Sequence, residues 1–107
     1  MTQEVWHNRV LMNEANVNRY VEPKAGVYGL FENVPDGKYY FRYAGQSTDL
    51  RTRLLQHLAD SEPNACIKQL ARGGGCTFGF VYVGTQAERD AIEKGYRENW
   101  DLKCNKV

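Results

Sequence analysis

Two aromatic-rich runs, Gly26 to Asn33 (GVYGLFEN) and Lys38 to Gly45 (KYYFRYAG), flank Pro35-Asp36-Gly37. That spacing constrains the fold more than any other feature of the chain. Proline presets φ and glycine accepts a positive φ, so the tripeptide reads as a tight turn. Aromatic and β-branched residues favour a pleated surface, so the runs read as the strands of an antiparallel hairpin.

The chain then breaks at Gly45-Gln46-Ser47. Thr48 or Asp49 offers a side-chain oxygen to the free N–H groups of a helix that runs to about Ala59 or Asp60. Leu50, Leu54 and Leu58 recur one turn apart and define its buried stripe, with Leu55 beside them. A second helix is expected from Ser61 to Arg72, with Ser61 as cap and Pro63 in the first turn, where its missing N–H costs little. Gly73-Gly74-Gly75 ends it and lacks the spacing of a phosphate-binding loop. Cys76 to Val83 reads as a third strand, apolar on both faces and therefore central. Thr85 and Glu88 have capping-box spacing and open a last helix to about Asn99, with Ala91, Ile92, Gly95 and Tyr96 facing inward. Asp101 to Val107 reads as an irregular tail. The first 22 residues, rich in asparagine, hold a short helix at most, followed by an extended lead-in.

At 107 residues the chain has the length of one domain, and no apolar run approaches the roughly 20 residues that span a bilayer. Met1 to Arg9 carries Glu4 and no apolar block, so no signal peptide is expected and a cytoplasmic setting follows. The net charge of +1 counts mildly against tight nonspecific DNA binding but not against a local basic site. Cys66, Cys76 and Cys104 are odd in number and form no C-x-x-C pair, so reduced, structural thiols are expected.

Gly26-Val27-Tyr28, then Tyr43-Ala44-Gly45, then Arg53 and His57, then Glu93 and Asn105, together resemble the GIY-YIG nuclease superfamily. The resemblance covers about residues 24–107, leaving 1–23 as a lead-in that could cover the sheet. It implies an α/β (α+β) fold, a small three-stranded antiparallel sheet flanked by helices, in agreement with the elements above. It further implies a DNA endonuclease of the kind used in repair, recombination or restriction. Tyr28, Tyr43, Arg53 (rather than Arg51), His57, Glu93 (rather than Glu88 or Asp90) and Asn105 become the catalytic set. Glu93 becomes the ligand of one Mg²⁺ or Mn²⁺.

The chemistry of these residue types is compatible with that reading. Arg53 and His57 are one helical turn apart and project from one face. A guanidinium can hold phosphate oxygens with parallel donors. One carboxylate suffices for Mg²⁺, which keeps several waters, and argues against a two-metal clamp. Tyr28 would act as base with His57 assisting. A free phenol titrates near about 10, so a cation such as Arg53 would have to favour the phenolate.

Three departures stand out: Ala44 replaces a larger apolar residue, Gln46 stands where some members carry lysine, and Lys103-Cys104 replaces a proline-containing approach to Asn105. The partners expected are DNA, with no membrane, and a second copy or a partner protein that supplies target specificity. A module that keeps the fold and binds nucleic acid without cleaving it is the alternative.

Overall fold

The computed structural model describes residues 9–34 and 36–106. The expectations for residues 1–8, Pro35 and Val107 lie outside the described residues. In chain order the elements are β1 (Val10–Leu11), α1 (Glu14–Tyr20), β2 (Gly26–Asn33), β3 (Tyr39–Ser47), α2 (Leu50–Leu58), α3 (Ala65–Arg72), β4 (Cys76–Tyr82) and α4 (Gln86–Asn99). A single 3-10 turn, Lys103–Asn105, follows. The fold is mixed α/β: among the described residues, an antiparallel sheet in the order β1-β4-β2-β3 with four α-helices.

The hairpin forms where the turn chemistry put it. Gly37 takes φ +84°, and the Val34 N–H donates to the Lys38 carbonyl at 3.0 Å to close the loop. Tyr28 lies opposite Gly45 and Leu30 opposite Tyr43, so these four residues share one sheet face. Between Leu30 and Phe31 the register shifts, and Phe31 then pairs with Phe41. Arg42 is the extra residue of this bulge, which turns Phe41 to the opposite face. There Phe41 meets Tyr96 of α4 and Trp100, just past its end, at ring-centroid distances of 5.3 and 5.7 Å.

The first face carries the main core. Leu50 and Leu54 of α2 pack with Tyr28, Leu30, Phe78 and Phe80, all essentially closed to solvent. Gly26 lets this happen: a Cβ there would stand 2.3 Å from the Val81 carbonyl oxygen and 2.7 Å from Leu50 Cδ1.

Three expectations are corrected. The sheet has four strands where three were expected; β1 is an edge strand of two residues, too short for side-chain alternation to mark it. The short helix expected in the first 22 residues is α1, and Met12, Val17 and Val21 of this segment join the core. The second helix begins later than Ser61, because Asn64 accepts from the N–H groups of Cys66 and Ile67 and is the true cap. On α4, Ala91 is exposed and the inward residue is Arg89, whose guanidinium donates to the Val83 carbonyl at 3.0 Å.

The cysteine expectation also changes. Cys66 and Cys104 form a disulfide across 38 residues of sequence, with their Cα atoms 5.3 Å apart. Spacing along the chain carries no information about that meeting of α3 with the C-terminal turn. Cys76 is free and buried, and burial pushes its thiol up to about 12. Among the described residues no helix is long and apolar enough to cross a membrane.

Candidate active site

Asp49 opens α2: its carboxylate accepts from the Thr52 N–H and hydroxyl. With Leu50 and Leu54 anchored in the core, the helix presents Arg53 and His57 toward the tyrosines of the sheet. The ring centroids of Tyr28 and Tyr43 lie 6.0 Å apart, and His57 sits 5.5 Å from the first and 5.6 Å from the second. The Tyr28 hydroxyl and His57 Nε2 are 2.5 Å apart. Tyr28 and His57 are 0% and 1% exposed, whereas Tyr43 and Arg53 are half-buried and form the outer part of the cluster.

Gly45 is what admits the Tyr28 phenol. Any Cβ at that position would fall 2.5 Å from the hydroxyl oxygen. Both glycines of the two Gly/Tyr motifs are thus explained by close packing.

The electrostatics differ from expectation. Burial, followed by the neighbouring Tyr43, raises the Tyr28 phenol well above its ordinary value, and Arg53 opposes this only in part. Arg53 alone therefore does not make Tyr28 a phenolate. Burial and the charge of Arg53 lower His57, with Glu62 opposing. A neutral imidazole is then able to accept a hydrogen bond from the phenol.

Glu62 escaped the sequence reading. It lies in the connection between α2 and α3, is 6% exposed, and places Oε2 at 2.9 Å from His57 Nδ1. Its other oxygen accepts from the Asn64 N–H at 3.1 Å. Its only signal in the sequence was a carboxylate five residues after His57, within a segment read as a helix start.

Arg53 and Arg51 separate cleanly. Arg51 donates through Nε to the Val21 carbonyl at 2.7 Å and so ties α2 to the end of α1. Arg53 makes a long 3.3 Å bond to Gln56, and among the described residues it ion-pairs with no carboxylate.

The remaining two residues have their side chains engaged elsewhere. Glu93 pairs with Arg97 at 3.4 Å and lines a cavity of about 360 Å³ with Gln46, Asp90, Lys94, Arg97 and Glu98. No hydrogen bond or ion pair joins it to Tyr28, Tyr43, Arg53 or His57. Asn105 uses its amide on backbone: it donates to the Ala44 carbonyl and accepts the Ala44 N–H, both at 2.9 Å. It thereby closes the open edge of β3 beside Tyr43. Gln46 donates to Asp90 at 2.7 Å and accepts from Gln86 and Arg89, so its side chain is committed to α4. Among the described residues no group of three or more His, Cys, Asp or Glu side chains gathers as a metal cage.

Comparison with protein-family models, curated proteins and solved structures returned no match.

Proposed function

We propose that the chain is a GIY-YIG-type endonuclease that hydrolyses DNA phosphodiester bonds with one divalent cation. The observation that carries this reading is the Tyr28 hydroxyl against His57 Nε2 at 2.5 Å, with Arg53 beside the pair and without a carboxylate partner. In this reading Arg53 and Tyr43, the outer members of the cluster, meet the phosphate first. Arg53 holds its non-bridging oxygens and offsets charge in the transition state. The Tyr28 proton passes to His57 Nε2. The phenolate then takes a proton from a water that attacks phosphorus in line, forming one P–O bond as the bond to the 3′ oxygen breaks. Because Tyr28 is closed to solvent, the Tyr43 and Arg53 side chains must part as substrate enters.

Glu93 would hold the Mg²⁺ or Mn²⁺. The donor set fits a cation that keeps most of its waters: one carboxylate, with Asp90 one turn earlier in the same cavity. When bound, the ion supplies positive charge at the leaving oxygen. Gln46 couples the two regions, since its neighbour Gly45 touches Tyr28 and its side chain bonds Asp90.

The test is cleavage of nicked, branched and linear DNA with Mg²⁺ or Mn²⁺. Glu93→Ala should abolish cleavage and leave DNA binding intact; cleavage by that variant at the unsubstituted rate would remove Glu93 from the site. The second reading, a nucleic-acid-binding module without turnover, draws on the complete burial of Tyr28 and His57. Binding without cleavage by the unsubstituted chain on all three DNA forms would favour it.

A further inference from the structure

The His57 ring is held from both sides. Nε2 faces the Tyr28 hydroxyl of β2, and Nδ1 faces Glu62 of the α2–α3 connection. Tyr43 from β3 packs edge-on to the ring, and Arg53 lies one turn back on α2. These are the titratable and charged groups around it.

We infer that Glu62 is a positioning residue for His57. Its carboxylate accepts a hydrogen bond from the single imidazole N–H, held at Nδ1, so that Nε2 is left as the acceptor for Tyr28. The inference rests on the nuclease reading for its catalytic meaning, but not for its structural content.

Three observations carry it. First, Oε1 of Glu62 already accepts the Asn64 N–H at 3.1 Å, which leaves Oε2 to face Nδ1, and a carboxylate only accepts. Second, a neutral imidazole has one N–H, so placing it at Nδ1 empties Nε2. Third, both groups are buried, with side-chain exposures of 0% for His57 and 2% for Glu62, so no solvent competes for either nitrogen. The proton transfer balances: Tyr28 O–H gives its proton to Nε2, yielding a phenolate and an imidazolium, and Glu62 compensates the new positive charge.

Glu62→Gln tests this sharply. If the amide oxygen keeps the Asn64 N–H, the NH₂ group faces Nδ1 and donates to it. The ring proton must then move to Nε2, where it blocks transfer from Tyr28. The experiment reads the His57 ring nitrogens by ¹⁵N NMR in both proteins at neutral pH, alongside the pH profile of DNA cleavage with Mg²⁺. The expected result is an Nδ1–H ring in the unsubstituted protein and gain of Nε2–H in Glu62→Gln. Cleavage should fall about 100-fold, the scale of a lost general base. Its acidic limb should also move to lower pH, because the carboxylate that raised His57 is gone. An Nε2–H ring in the unsubstituted protein overturns the inference without recourse to any variant. A Glu62→Gln protein with an unmoved limb and unchanged tautomer overturns it as well. If neither protein cleaves DNA but the tautomers behave as stated, the nuclease reading fails and the positioning role of Glu62 stands.

Discussion

Tyr28 lies against the backbone of Gly45 so closely that a Cβ there would meet its hydroxyl oxygen at 2.5 Å, its Cζ at 2.6 Å and its Cε1 at 2.9 Å. The ring is fully buried, and its hydroxyl is held at 2.5 Å from His57 Nε2. Gly45→Ala should therefore destabilise the fold by about 1–3 kcal/mol, the scale of core overpacking. Gly95 in α4 has nothing within 4 Å of its would-be Cβ. Gly95→Ala should stabilise by up to about 1 kcal/mol through helix propensity. Urea unfolding of the two variants should move the midpoint in opposite directions; equal effects would contradict the packing described.

Tyr28→Phe keeps the ring and removes the hydroxyl. His57 Nε2 then loses its donor in a site without solvent, at a cost of about 1–3 kcal/mol. A fold stability unchanged from the parent would mean that no such bond is made. DNA cleavage should fall about 100-fold or more, with binding retained through Arg53.

The parts of this fold that were legible in the sequence are those fixed by near neighbours. Pro35-Asp36-Gly37 marked the hairpin, Asp49, one of the two caps expected, opens α2, and Thr85 accepts the Glu88 N–H at the start of α4. Leu50 and Leu54 faced the core because helical periodicity dictates it. What escaped depends on partners distant in sequence. Arg89 is drawn inward by the Val83 carbonyl and Gln46, which no local pattern encodes. Cys66 meets Cys104 only after the tail turns back beneath α3. In the candidate site, Tyr28, Tyr43, Arg53 and His57 lie together, and spacing alone spoke only for Arg53 and His57 on one helix face. Glu62 was hidden because a buried carboxylate looks like any other until its partner is known. Asn105 was named for chemistry, yet its amide is spent on Ala44.

Reduction of the Cys66–Cys104 bond should cost stability and loosen one edge of the sheet. Closing a loop of this separation restricts the unfolded chain, an effect worth about 4 kcal/mol on chain-entropy grounds. The bond also holds the Lys103–Asn105 turn, whose Asn105 amide protects the Ala44 N–H. Urea unfolding with and without reductant should show the loss. Hydrogen exchange at the Ala44 amide should accelerate on reduction, while that at the interior strand residue Phe78 changes only with global stability.

Acid should weaken the fold through His57 before most carboxylates titrate. Burial and Arg53 hold the folded-state pKa of His57 below its ordinary value of about 6.5, which the unfolded chain recovers. The sign follows from linkage: as pH falls below about 6.5, the unfolded chain binds the proton first and the native state loses ground. The loss continues until pH reaches the lowered folded value, and each tenfold difference in proton affinity contributes about 1.4 kcal/mol. Above about pH 8 neither state is appreciably protonated at this ring, so the contribution is constant there. Urea midpoints measured from pH 7.5 down to 5 should fall for the parent chain. His57→Gln should be less stable at pH 7.5 but markedly flatter over the same interval. Parallel curves for the two proteins would show that His57 is not held neutral in the folded state.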